Sequence, residues 1–344
     1  MKRKLLCIVC AVLMAVSLCA CADKGPSGKV ESLGELKGRV VCSIGQGQVP
    51  DLVFRSILKQ AGVPYKSPVN SAESDVVGLS YANDGPTVIA GLNKGTYKYG
   101  VLGEPAATNA LGKVEGTNVM FDLQELYGEL KGTAKGFPQA VLVVKKSFYE
   151  AHPAYVKAFV EAFSAGVKWA ETNASEALTA LKGAGSTQIA ALSNEIAKNC
   201  NLGFKAATAA KQEILTFYED INGVYDESAG ETSPIGGSLP DDAFFVSVPT
   251  EEGGESGVTA KIYAPDGAPA IALSKMIHDA FEGASFHIVQ PSDIGAQVLN
   301  GNADIAIMPS NAAANLYGKK KDTPTAPLCL GVSCFGNLYL IGKE

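Results

Sequence analysis

The sequence predicts an α/β protein of two similar lobes, each built on a mainly parallel sheet, and three observations carry that expectation. Short apolar runs alternate with helical patterns along most of the 344 residues. Residues 99–111 (YGVLGEPAATNAL) and 304–316 (DIAIMPSNAAANL) repeat one strand-loop-helix design. Between them the stretch 246–257 (VSVPTEEGGESG), rich in Gly, Glu and Ser, interrupts the alternation and reads as a linker.

The composition suits a globular chain, with 47% hydrophobic and 19% charged residues. A net charge of −6 and only three arginines, Arg3, Arg39 and Arg55, exclude the clustered basic face that a nucleic-acid partner needs.

Taken in order, residues 1–21 (MKRKLLCIVCAVLMAVSLCAC) combine a basic start, an apolar run of about 14 residues and small residues, as a secretory signal does. Leu18-Cys19-Ala20-Cys21 resembles a bacterial lipobox, so Cys21 is the expected lipidated residue and the body is expected on the outer face of the cytoplasmic membrane. Residues 22–35, with Gly, Pro and Ser, read as a tether. A strand over 39–44 leads through Gly45-Gln46-Gly47-Gln48 into a helix opened by Pro50-Asp51, whose Val53, Phe54, Ile57 and Leu58 keep helical spacing. A second unit runs from a strand at 97–102 through Gly103-Glu104-Pro105 to a helix from Ala106. After the strand at 139–144, Ser147 and Glu150 have capping-box spacing ahead of the stripe Val156, Phe159, Val160, Phe163, Val167. Beyond the linker, strands at 259–263 and 303–308 feed the loops Ala264-Pro265-Asp266-Gly267-Ala268-Pro269 and Pro309-Ser310-Asn311. The final apolar run Leu338-Tyr339-Leu340-Ile341 reads as a buried strand at the end of the sequence.

Several of these runs together, APDGAPAIAL, IGAQVLNGNADIAIMPSNAAANLYGKK, FGNLYLIG, LKGRVVCSIGQGQVPDLVFRSIL, GEPAAT and FPQAVLVVKKSFYEAHP, resemble solute-binding proteins of ABC importers, in the branch similar to sulfonate-, nitrate- and thiamine-precursor-binding proteins. The similarity spans nearly everything after residue 35. It implies a type 2 periplasmic-binding-protein-like fold with a central cleft. The order differs from that of the family, because IGGSLPDDAFF (235–245) precedes APDGAP (264–269). The resemblance therefore implies a circular permutation, with the ordinary ends joined through 246–257 and new ends opened between GNLYLIG and ESLGELKGRVV. The expected division is 36–137 for lobe II, 138–245 for the first part of lobe I and 258–344 for its second part. Permutation is expected to leave one covalent crossing between lobes, near Gly136-Phe137-Pro138-Gln139.

In parallel sheets ligands bind beyond the carboxyl ends of strands. Gly45, Gln46 and Gly47 can present backbone N–H groups to a polar head, or simply turn a strand into a helix. Pro265, Asp266 and Gly267 face them; Asp266 either caps the next helix or accepts from ligand. Ser310 and Asn311 stand between the same two roles, and Glu104 is placed in the cleft by the resemblance. Cys334 and Phe335 resemble a ligand-lining position, where Phe335 could stack on a ring. Cys42 and Cys334, if both reached the cleft, would suit a soft metal or thiophilic compound, although two thiols without a nearby His make a thin metal site. His152, His278 and His287 form no catalytic or metal-binding spacing, and no Walker loop or dinucleotide fingerprint occurs.

The reading is a monomeric lipoprotein that captures a small organic solute by lobe closure and passes it to an ABC permease and ATPase, with no cofactor and no chemistry of its own. An enzyme similar to thiamine-precursor synthases, a ligand sensor and a soft-metal binder stand as alternatives. So few arginines weaken any guanidinium clamp, which favours a neutral or weakly anionic ligand.

Overall fold

A computed structural model of the chain describes residues 31–71, 73–134, 136–251, 255 and 257–343. The expected signal, Cys21 and most of the expected tether lie outside these residues. The folded body begins within the expected tether, because Leu33 is already buried.

The first lobe comprises β1 (Val40–Ile44), α1 (Val49–Gln60), β2 (Tyr65–Lys66), β3 (Val77–Ala82), α2 (Gly85–Lys94), β4 (Tyr99–Gly103), α3 (Ala106–Lys113), β5 (Thr117–Asp122) and α4 (Leu123–Lys131). The chain then builds a second lobe from β6 (Ala140–Lys145), α5 (Lys146–Ala151), α6 (Pro153–Gly166), α7 (Ala174–Gly183), α8 (Asn194–Asn199), β7 (Leu202–Ala206) and α9 (Ala207–Asn222). That lobe is completed by β8 (Ala260–Pro265), α10 (Ala268–Ala272), α11 (Ser274–His278), β9 (Ala284–Val289), α12 (Ile294–Leu299), β10 (Ile305–Pro309), α13 (Ser310–Lys320) and β11 (Pro327–Cys334), after which β12 (Leu338–Lys343) returns to the first.

Two six-stranded sheets result, ordered β2-β3-β1-β4-β12-β5 and β7-β11-β6-β10-β8-β9. In the first, β1 runs parallel to β3 and β4, and β12 is antiparallel to both neighbours. In the second, β8 runs parallel to β9 and β10, while β6 is antiparallel to β10 and β11. Each sheet therefore takes one reversed strand from a chain segment that has just left the other lobe. Near-continuous apolar strands such as Val141–Val144 are buried on both faces because helices cover both.

Two expectations change here. Strand β12, assigned by its position in the sequence to the second part of lobe I, pairs in the first sheet, with Gly342 opposite Tyr99 and Tyr99 opposite Val41. Two crossings join the lobes, at residues 136–139 and 335–337, where a single one was expected. The segment expected to continue from β12, from Leu36 onward, packs in the same lobe as β12, so an opening there would leave both crossings intact. The expected capping box also fails to form: Ser147 N–H donates to the Pro324 carbonyl, and the buried stripe sits on α6, which starts at Pro153.

The crossings run side by side. Phe137 N–H donates to the Phe335 carbonyl and Gln139 N–H to that of Cys334, at 3.2 and 3.0 Å. Phe137 stacks on Phe217 of α9 and meets Tyr127 of α4 edge-on, so one aromatic cluster spans both lobes. At Gly336, φ is +91° and a Cβ would fall 2.6 Å from the Gln124 side chain, which is why the second crossing turns on glycine.

Beyond α9 the tail 225–241 also reaches the first lobe. Arg55 of α1 is 1% exposed and grips Glu231 with both terminal nitrogens, at 2.8 and 2.9 Å, while its Nε donates to Asp51 at 2.8 Å. Arg55→Met is expected to destabilise the protein by about 3–5 kcal/mol, since it leaves two largely buried carboxylates without their cation. Arg55→Lys should recover little of this, because an ammonium cannot grip bidentately. Urea unfolding of the three proteins would show this ranking; an Arg55→Met protein as stable as wild type would dismiss the role.

Candidate functional site

The carboxyl ends of β1, β3, β4, β8 and β9, with the starts of β6 and β12, surround a cleft of about 680 Å³ between the lobes. Ile44, Ile89, Ile189, Pro105 and Pro269 give it apolar walls; Asn83, Asn93 and Asn109 contribute amides from the first lobe. Among the described residues these three amides have no side-chain hydrogen-bond partner.

The carboxylates of the cleft are already occupied. Asp84 accepts the Thr87 N–H at 2.8 Å as the N-cap of α2. Glu104 accepts from the Thr108 N–H and Oγ1 at 3.1 and 2.7 Å, and so caps the first turn of α3. Asp266 neither caps α10 nor stands free: it accepts from Ser186 Oγ at 2.7 Å and from the backbone N–H groups of Thr187 and Gln188 at 2.6 and 2.7 Å. It thereby staples the loop that carries Gln188, Ile189 and Ala190 into the cleft. Lys113 is the cation among the lining residues. The site thus presents paired carboxylates, spare amides and apolar walls.

Gln139 and Asn337 form the floor. Gln139 Nε2 donates to Asn337 Oδ1 at 2.8 Å, Asn337 N–H donates to Gln139 Oε1 at 2.9 Å, and Asn337 Nδ2 reaches the Glu104 carbonyl at 3.4 Å.

Of the residues singled out from the sequence, Glu104, Pro265, Asp266 and Gly267 line this cleft. Gln46, Gly47 and Asn311 line a different cavity, and Gly45 lines neither. The Gly45–Gln48 turn has φ of +57° and +73° at its glycines and directs the Gly47 N–H, at 2.8 Å, to Asp51. A protein carboxylate therefore takes one of the donors that an anion would have used. Ser310 is fully buried and donates its hydroxyl to the Pro138 carbonyl at 2.6 Å, fastening α13 to the first crossing.

Cys334 and Phe335 stand away from the cleft. Cys334 points into the core and donates to the Cys200 carbonyl; burial pushes its thiol up to about 12. Phe335 lies over Gly203, in space that a larger residue there would need. Cys42 is buried among Val88, Leu92 and Leu102, and burial raises its thiol against the opposing influence of Ser80 and Tyr97. The two thiols belong to different lobes and neither lines the cleft, so the soft-metal reading loses its ligands. Among the described residues no group of three or more metal-ligating side chains occurs. His152 pairs with Glu255, His278 with Asp279, and His287 stacks on Tyr263, all outside the cleft.

The sequence reading passed over Asn83, Asn109, Gln139, Gln188 and Asn337. One signal was present: Asp84-Gly85-Pro86 is an N-cap followed by proline, which marks the start of α2 and places Asn83 at the cleft. Gln139 and Asn337 carry no local signature, because their meaning comes from the crossing of two remote segments.

Residues 9–177, slightly under half of the chain, match a family model described as NMT1/THI5 like. A search of curated protein sequences gives no match. Among solved structures, the ligand-binding component of an ABC-type import system from Staphylococcus aureus, with zinc bound, is 8% identical with a TM-score of 0.39, over 89% of this chain and 66% of that one. The binding protein of an ABC phosphonate transporter from Pseudomonas aeruginosa is 10% identical with a TM-score of 0.34, over 90% and 70%. A phosphate-binding protein from Streptococcus pneumoniae is 9% identical with a TM-score of 0.29, over 89% of each chain. The chain spans just under two thirds of the length of the first of these. Its two sheets are each completed by a reversed strand from across the cleft.

Burial raises the Glu104 carboxyl above the usual carboxylate range, against the opposing pull of its Thr108 hydrogen bonds. A carboxyl raised on folding adds stability below its unfolded value and loses it as pH climbs through the folded one. Wild-type stability should therefore decline from about pH 4 upward through that window by a component absent from Glu104→Gln. Thermal unfolding across pH 4–8 would reveal it; parallel profiles would assign Glu104 no such part.

Proposed function

We propose that this chain, similar to NMT1/THI5-like proteins over residues 9–177, is the extracytoplasmic solute-binding component of an ABC importer. It captures a small organic molecule in the cleft between its lobes and carries out no reaction on it. The observation that bears most weight is the 680 Å³ cleft at the strand ends of two lobes joined by paired crossings. Paired carboxylates and spare amides favour an uncharged or weakly charged solute over sulfonate or phosphate. Closure is a rotation about residues 136–139 and 335–337, driven by contacts that the solute makes with both lobes only in the closed form.

A lipid on Cys21 would hold the protein to the outer face of the membrane, where it meets a permease and ATPase as a monomer. Among the described residues no helix is long and apolar enough to cross a membrane. The permutation belongs to this proposal too. Supporting it, Gly342 and Val41 lie two strands apart in one sheet, about 10 Å, a gap that a short connection would bridge.

Mass spectrometry of small molecules released from the purified protein by denaturation tests the binding role, together with elemental analysis. A stoichiometric organic compound is expected, and Asn109→Ala should weaken its rebinding by roughly tenfold, the worth of about one hydrogen bond. Stoichiometric metal without an organic compound would refute the proposal. For the permutation, a chain opened within 246–257 and joined from 343 to 36 is expected to keep the fold and the ligand; loss of folding would count against it.

A further inference from the structure

The first lobe's sheet has a concavity of about 410 Å³ at the end away from the cleft, where β1 and β4 begin. It is lined by residues 37–40 and 96–99 and shares none of them with the cleft. We propose that it is a binding site for a phosphomonoester, the dianionic group carried by a soluble phosphate ester or by phosphatidic acid.

The charge there is one-sided. Lys37, Arg39 and Lys98 line the concavity and no carboxylate does. Among the described residues neither lysine makes an ion pair or a side-chain hydrogen bond, and the Thr96 hydroxyl, also in the lining, has no partner. Arg39 is half-buried and held in place. One of its terminal nitrogens donates to the phenol oxygen of Tyr99, a buried residue of β4, and its guanidinium carbon stands 5.3 Å from that ring's centre. The other N–H groups of its fork have no acceptor among the described residues. Three like charges around one concavity repel one another, and a dianion relieves that repulsion more than a monoanion can. Shape selects in the same direction. A phosphate matches the guanidinium fork with two oxygens and keeps another for the ammonium and hydroxyl donors, whereas a carboxylate has two oxygens in all. Val40 and Tyr97 supply apolar surface for the ester's organic part. This inference is independent of which solute occupies the cleft.

Calorimetric titration of the full chain with glycerol 3-phosphate, dimethyl phosphate and glycerate tests it, since these separate charge from shape. Saturable binding of glycerol 3-phosphate is expected, roughly tenfold or more tighter than either monoanion, and weakening below about pH 6 as the dianion takes up a proton. Lys37→Gln combined with Lys98→Gln should weaken it roughly tenfold or more at unchanged thermal stability, because both side chains are exposed and hold nothing in the fold. Arg39→Lys keeps the charge, loses the fork and should also weaken binding. Lys319→Gln combined with Lys320→Gln removes as much charge from the end of α13 and should leave binding as it was. Sedimentation with phosphatidylcholine vesicles, with and without phosphatidic acid, then identifies the source. Extra binding to phosphatidic acid that the Lys37 and Lys98 substitutions abolish identifies a lipid head, and equal binding to both vesicles a soluble ester. The inference falls if glycerol 3-phosphate does not bind or if either monoanion binds as tightly. It falls equally if Asn109→Ala, in the cleft, or the α13 substitutions weaken binding as much as those at Lys37 and Lys98.

Discussion

The reciprocal amide pair between Gln139 and Asn337 is the constraint on which the rest of this molecule depends. Each residue begins a segment that has just crossed from one lobe and is about to enter the other's sheet as its reversed strand. Pairing them fixes the relative height of β6 and β12, and through those strands the level at which both sheets end. The cleft exists because the two sheets end at that level, facing each other. Ser310, bonded to the Pro138 carbonyl, extends the same fastening to α13. A rotation about this line can open the cleft without breaking a strand pairing.

A site built this way is short of free charge for a physical reason. Its loops are the N-terminal ends of helices, which carry unsatisfied N–H groups. Asp84 and Glu104 satisfy helix ends, Asp51 the glycine turn, and Asp266 a neighbouring loop. The carboxylates that look like ligand contacts in the sequence are thus the groups that keep the loops in shape. Under the proposed function, recognition falls to side chains with no such duty, the amides of the first lobe, and to the apolar walls.

That division explains how much could be read beforehand. The alternation of strand and helix, the echo between 99–111 and 304–316, and the loops bearing Glu104 and Asp266 were legible, since each depends on local pattern. The place of β12 was not, because 338–341 reads the same whether it pairs with β4 or β11. Once it is placed beside β4, the single expected crossing becomes two. Cys334 and Phe335 were misjudged for a related reason: side-chain direction at the end of β11 is set by the turn at Gly336, whose need for positive φ arises from Gln124 and Phe137, far off in sequence. Asn311 opens a helix as its sequence context suggests, but sequence could not say which of two cavities it lines.

The second contact between the lobes bears on how far they can move. The α9 helix and its tail reach the first lobe through Asp220, which accepts from Tyr127, and through Glu231, which Arg55 grips. Tyr127 and Asp220 lie beside the aromatic cluster at the crossings, close to the axis, where rotation changes distances little. Glu231 rides on a loop rather than on the second lobe's sheet, so it can stay with Arg55 while the sheets turn. Desolvation opposes the charge on Glu231, yet hydrogen bonds from Arg55, the Asp226 N–H and Gln46 outweigh it and hold the carboxyl below its ordinary range. A latch that remains charged and closed in this way belongs mechanically to the first lobe. Under the proposed function, the motion that serves the cleft would take place between the tail and the second lobe's α13.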